Sequence, residues 1–107
     1  MDAFLGEEVE FKGTLSFQGI LRVDGKLQGK VSTNGTLVVG ERACLETDIE
    51  AGTLIVHGEI LGNIVASQRI ELHATCRLYG NLQTPSLLVE EGAMLKGQCE
   101  VLRHVSS

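Results

Sequence analysis

The sequence predicts an all-β chain forming one domain, a three-sided parallel β-helix of about six coils, and three observations carry that prediction. Apolar pairs return at a nearly constant distance: Leu21/Val23, Leu37/Val39, Leu54/Val56, Ile70/Leu72 and Leu87/Val89, with second members 16, 17, 16 and 17 residues apart. Each pair has the two-residue period of a strand. Two further columns run in step with the first, which gives three strands per turn: Leu27, Leu45, Ile60, Leu78, Leu95 and then Val31, Ile49, Ile64, Leu82, Cys99. A parallel solenoid aligns like residues coil over coil, whereas a hairpin meander reverses register at every turn.

The first column is followed by the second after either four residues (Val23 to Leu27) or six (Val39 to Leu45), so coil length is expected to vary at one corner only. Upstream, Phe11 and Leu15 stand 16 residues before Leu27 and Val31, and Gly13 matches Gly29, so the repeat is expected to begin near Val9. The domain is then residues 9–102, with short tails at 1–8 and 103–107. An α-helix is excluded, because glycines and β-branched residues interrupt every 3.6-residue stripe.

Composition agrees with regular aliphatic layers. The chain has 107 residues, 43% of them hydrophobic, with aromatics at 4% and no Trp; 13 Gly against one Pro (Pro85) imply many tight turns. At this length one domain accounts for the whole chain. A net charge of -5 without a basic cluster offers no footprint for nucleic acid. Cys44, Cys76 and Cys99 are odd in number and lack CxxC spacing, and no signal-like segment opens the chain; a reducing cytoplasm without disulfides is the expectation. No apolar run reaches membrane-spanning length, so any membrane contact is expected to be peripheral. Asn34-Gly35-Thr36 matches a glycosylation sequon and is read as a turn.

The residues suited to chemistry each have a plainer reading. His57 and His73 both follow first-column residues, on a line that reads Asp24, Gly40, His57, His73, Glu90. Two imidazoles about one strand spacing (~4.8 Å) apart suggest a metal site or pH sensor. A polar corner ladder is the expectation, because Gly40 interrupts the line and no third ligand converges; His104 lies far down the chain. Cys99, in the third inward column, is expected to be a buried apolar residue, and Cys44 and Cys76 incidental thiols on the long corner. Gly25, Gly29, Gly58, Gly62, Gly80 and Gly97 are corner residues, since no GxxxxGK[ST] run exists; no cofactor is expected.

Several phrases in order resemble the bactofilins, bacterial polymer-forming cytoskeletal proteins. They are Phe4-Leu5-Gly6, Phe11-Lys12-Gly13-Thr14-Leu15, Arg22-Val23-Asp24-Gly25 with Gly29, His57 to Ile64, Tyr79-Gly80-Asn81-Leu82 and Glu91 to Gly97. Together they span about Phe4 to Leu102. The resemblance implies a right-handed β-helix that joins end to end into non-polar filaments without nucleotide, lies on the inner face of the cytoplasmic membrane, and recruits cell-wall enzymes or other partners. Many members carry Phe where this chain has Leu95.

On that reading the chain is a scaffold and not an enzyme. Head-to-head and tail-to-tail stacking is expected to use Val9, Phe11, Leu15 and Phe17 at one end and Leu95, Cys99, Val101 and Leu102 at the other. Phe4 and Leu5 are the expected membrane contacts. The enzyme alternative is a left-handed hexapeptide-repeat β-helix, of acyltransferase or carbonic anhydrase type. It requires a six-residue period, which spacings of four and six do not keep.

Overall fold

The computed structural model describes residues 2–101, and the side chains of residues 4–101. Its strands are β1 (Asp2–Leu5), β2 (Glu10–Phe17), β3 (Ile20–Val23), β4 (Lys26–Thr33), β5 (Thr36–Val39), β6 (Cys44–Val56), β7 (Glu59–Leu61), β8 (Ile64–Leu72), β9 (Arg77–Tyr79), β10 (Leu82–Thr84), β11 (Leu87–Val89), β12 (Met94–Lys96) and β13 (Cys99–Val101). There is no helix among the described residues, and every strand pair is parallel. The longer strands turn a corner and serve two faces.

Three stacks result. The first face is β1, β3, β5, the end of β6, the end of β8 and β11. The second is the start of β2, the start of β4, the start of β6, then β7, β9 and β12. The third is the end of β2, the end of β4, the middle of β6, the start of β8, then β10 and β13. Six coils of a parallel β-solenoid follow.

Alternation along each strand sends one side chain in and the next out, and the four central members of each apolar column are sealed. Leu27, Leu45, Ile60 and Leu78 are all at 0% exposure. Each such side chain contributes ~1.5–3 kcal/mol by leaving water. A further inward column is small or hydroxylated, Thr33, Ala51, Ala66 and Thr84, and all four are buried. Thr33 and Thr84 satisfy their hydroxyls on the adjacent turn, Thr84 by donating to the Ser86 carbonyl at 2.9 Å, while Thr33 Oγ1 accepts from the Gly35 amide at 3.0 Å.

The corners explain the glycines. Between the second and third faces the chain bends at Gly13, Gly29, Gly62, Gly80 and Gly97, all with positive φ. At Gly80 (φ 134) a Cβ would fall 2.0 Å from the Gly62 carbonyl oxygen of the coil beneath. Only a residue without a side chain both adopts that φ and admits that stacking. Thr47 takes this place in the third coil without a positive φ. Its Oγ1 is buried and lacks a hydrogen-bond partner.

Three expectations need correction. Strand pairing begins at Asp2 rather than near Val9, because β1 lies in register on β3, with Leu5 opposite Val23. Coil length varies at two corners, not one: the register slips between Ala51 and Thr53 where Gly52 makes the corner between the third and first faces shorter. The long corners close with a repeated turn, in which Val9, Ala43, Cys76 and Ala93 donate backbone amides to Gly6, Gly40, His73 and Glu90 at 2.8–3.1 Å. That turn points Cys76 into the core beside Ala43, so Cys76 is a buried residue and not a surface thiol.

Candidate assembly interface

The terminal coils repeat the interior pattern without a neighbour to cover it. In the first column Val23, Val39 and Val56 are at 0% exposure, whereas Val89, at the next equivalent place but one, is at 49%. The residue type is the same; only the absence of a further coil differs. At the other end Leu5, Phe11, Leu15 and Phe17 remain partly buried against the core, and Val9 is exposed. Two apolar cross-sections are therefore open, one with two phenylalanines and one aliphatic.

Backbone valence is open at the same places. Among the described residues, β1 and β2 pair along one edge only, as do β11, β12 and β13. A strand edge of this kind presents unpaired N–H and C=O groups beside apolar side chains, which is a template for another chain.

The structure puts Val9, Phe11, Leu15 and Phe17 on the first coil and Leu95, Cys99 and Val101 on the last. Leu102 and the tail 103–107 lie outside the described residues. The inward residues Leu5, Leu87, Val89 and Ala93 complete the two end surfaces and were missed by the sequence reading. They keep the same repeat distance as their columns, which is the signal that would have found them. Cys99 is exposed, not buried, because no seventh coil covers it. Partial burial still pushes its thiol above the usual range.

The other cysteines are equally unsuited to nucleophilic work. Burial pushes Cys76 up to about 11. Cys44, half-buried, is raised by burial and then by the carboxylates of Glu59 and Glu46, with Lys26 opposing. None has the lowered value of a reactive thiolate.

Phe4 and Leu5 diverge. Phe4 points outward at 61% exposure with the Arg22 guanidinium 6.0 Å from its ring centroid. Leu5 turns inward onto the core, so it is not an outward partner for Phe4 in this conformation.

The corner line Asp24, Gly40, His57, His73, Glu90 is present, each amide bonding the carbonyl one coil below. The two imidazoles stack with centroids 4.3 Å apart and planes 9° from parallel. His73 Nδ1 lies 2.5 Å from Glu90 Oε1, and Nε2 lies 3.4 Å from Glu71 Oε1. The hydrogen bond from His73 holds the Glu90 carboxyl below its ordinary value, with the charge of His73, the Ala74 amide and His57 adding to it. Gly40 makes room for Asp24, whose Oδ1 would lie 1.6 Å from a Cβ there. Among the described residues no three of His, Cys, Asp and Glu gather to hold a metal ion; His104 lies outside them. The largest groove, along Ser16, Ser32, Glu50 and Val65, is lined by one carboxylate with hydroxyls and amides, without imidazole, thiol or ammonium groups.

The comparisons agree with this geometry. Residues 3–100 match the family model described as "Bactofilin: Polymer-forming cytoskeletal". The chain is 33% identical to bactofilin BacO of Myxococcus xanthus over 97 residues, covering 91% of this chain and 77% of that protein. It is 26% identical to BacP of the same organism, covering 91% of this chain and 40% of BacP. Among solved structures, the double helical filaments of Thermus thermophilus bactofilin superpose with a TM-score of 0.86 at 31% identity, covering 94% of this chain and 99% of that one. Bactofilin BacA, solved by solid-state NMR, matches with a TM-score of 0.86 at 26% identity, over 96% of this chain and 98% of that one. A six-coil solenoid with two uncovered ends, matched along nearly its whole length by these proteins, belongs to the bactofilin family of polymer-forming cytoskeletal proteins, which are structural and not catalytic.

Proposed function

We propose that this chain is a cytoskeletal scaffold that assembles with copies of itself, end to end, into non-polar filaments without nucleotide, and that the filaments lie at the inner face of the cytoplasmic membrane and position cell-envelope partners, cell-wall enzymes among them. The observation that carries the proposal is the loss of burial in otherwise identical columns at the two ends, from 0% exposure at Val56 to 49% at Val89. The filaments formed by the Thermus thermophilus relative support it.

Stacking joins like ends. Val9, Phe11, Leu15 and Phe17 meet their equivalents on a second copy, and Leu95, Cys99, Val101 and Leu102 meet theirs. Strand edges pair across each junction, and the aliphatic and aromatic columns close over one another. Several side chains per end at ~1.5–3 kcal/mol each exceed the lower part of the ~4–15 kcal/mol cost of association. Membrane contact begins with Phe4, the exposed aromatic residue of β1. A single copy holds such a contact weakly, whereas a filament presents many at once and gains by avidity.

Two measurements test this. Negative-stain microscopy of the purified chain, without nucleotide or metal, is expected to show long uniform filaments; small closed particles would overturn the assembly reading. Flotation with vesicles of mixed neutral and anionic lipid is expected to carry filaments upward, and Phe4→Ser filaments to remain below. Equal flotation of both would remove Phe4 from the membrane contact.

A further inference from the structure

The first face carries an outward column that reads Phe4, Arg22, Val38, Ile55, Glu71, Leu88 from the first coil to the last. Its chemistry is the same read in either direction, apart from the sign of charge: apolar, charged, apolar, apolar, charged, apolar. Phe4 and Leu88 are exposed, at 61% and 41%, while Val38 and Ile55 are half-buried.

From this pattern we propose that the first face is a lateral interface on which a second copy of this chain lies antiparallel, related by a two-fold axis that runs along the strands between the third and fourth coils. Under that operation the column faces itself in reverse. Phe4 meets Leu88, Arg22 meets Glu71, and Val38 meets Ile55. Such an isologous contact repeats each pair twice. Two sheets packed face to face stand ~10 Å apart, a distance that these side chains fill from both sides.

The flanking columns agree. On the corner line Asp24 comes opposite His73, and Gly40, which has no side chain, comes opposite the His57 imidazole. On the other side Thr36 comes opposite Thr53 and Ile20 opposite Arg69. No like charges meet. Arg22 is already 3.4 Å from Asp24, and Arg69 3.5 Å from Glu71, so docking joins existing pairs into alternating networks.

Other arrangements fail on charge. Parallel rods would set Arg22 against Arg22 and Glu71 against Glu71, and like charges buried opposite each other are strongly disfavoured. On the second face, the outward columns Lys12, Gln28, Glu46, Leu61, Tyr79, Lys96 and Glu10, Lys26, Cys44, Glu59, Arg77, Met94, when reversed, oppose Lys12 to Lys96 and Lys26 to Arg77. The third face, with Ser16, Ser32, Glu50, Val65, Gln83 and Glu100, has no apolar pair and no complementary charge pair. Self-complementarity belongs to the first face alone. The contact does not depend on the end surfaces.

Cross-linking reads the register directly. Val38→Cys and Ile55→Cys are each made in a Cys44→Ser, Cys99→Ser chain, mixed, and treated with a short bis-maleimide; the buried Cys76 does not react. The expected product is the mixed 38–55 dimer, several-fold above the 38–38 and 55–55 dimers. Adding Arg22→Glu to both chains lowers its yield several-fold, and Arg22→Glu with Glu71→Arg restores it. If Arg22→Glu loses its β circular dichroism, Glu71→Arg serves as the single variant. Leu95→Arg, which blocks stacking at the last coil, leaves the 38–55 product unchanged, so failure of the end surfaces and failure of this face are separable. Absence of the product overturns the proposal, whether the face stays bare or meets some other partner. Predominant 38–38 and 55–55 dimers, the parallel arrangement, or failure of the double variant to restore the product would do the same.

Discussion

The interior coils and the terminal coils are built from the same residues and have opposite fates. Ile60 and Leu78 in the second column are sealed, while Leu95 in that column is only partly buried. In the third column Leu82 is 1% exposed and Cys99 is open to solvent. Burial in a solenoid is supplied by the neighbouring coil and not by the residue, so each end retains the attraction that the interior has spent. A chain of this kind is complete inside and unfinished at both ends.

The comparison can be broken at its strong side first. Ile60→Ala opens a cavity in the fourth coil and is expected to cost ~2–5 kcal/mol of stability, read as a lowered midpoint in urea. Leu95→Ala, in the same column at the edge, is expected to cost the single chain less than half as much. Equal costs at the two positions would deny that the last coil is unfinished.

At Thr47 the expected sign reverses. Its hydroxyl is buried without a partner, and Thr47→Val keeps the shape while removing that group. The variant is expected to be neutral or more stable by up to ~1 kcal/mol in the same denaturation experiment. A loss above ~1 kcal/mol would mean that the hydroxyl is satisfied.

The smallest effect concerns acid. Glu90 is lowered from 4.5 chiefly by its hydrogen bond with His73. A depressed carboxylate contributes stability that is full above its ordinary value and fades as pH falls through the lowered one. Glu90 ties the last coil to the fifth, so Glu90→Gln is expected to flatten the acid limb of last-coil protection in hydrogen exchange, below about pH 4.5. An unchanged acid limb would show that the pair carries no linkage.

Much of this was legible because stacking converts sequence distance into contact. The three columns of aliphatic residues announced the coils, and the line from Asp24 to Glu90 was found in order. The inward column of Thr33, Ala51, Ala66 and Thr84 was not, since small and hydroxylated residues at inward places look like turn residues. Cys76 and Cys44 differ by one place on equivalent corners, and that single step of phase decides inside from outside. The shortened corner at Gly52 was hidden because the same coil carries a long corner, and the two differences largely cancel in the spacing of 17 from Val39 to Val56. Strand β1 went unrecognised because it pairs with β3 alone.

The central claim is that the ends are covered by other copies of the chain, and Cys99, on the last coil, reports on it directly. In a Cys44→Ser background, maleimide labelling of Cys99 is expected to be slow in the assembled protein and fast in Leu95→Arg, with circular dichroism confirming that both keep the β fold. Equal, fast labelling of the two would show the last coil open to water in both, and would contradict the account.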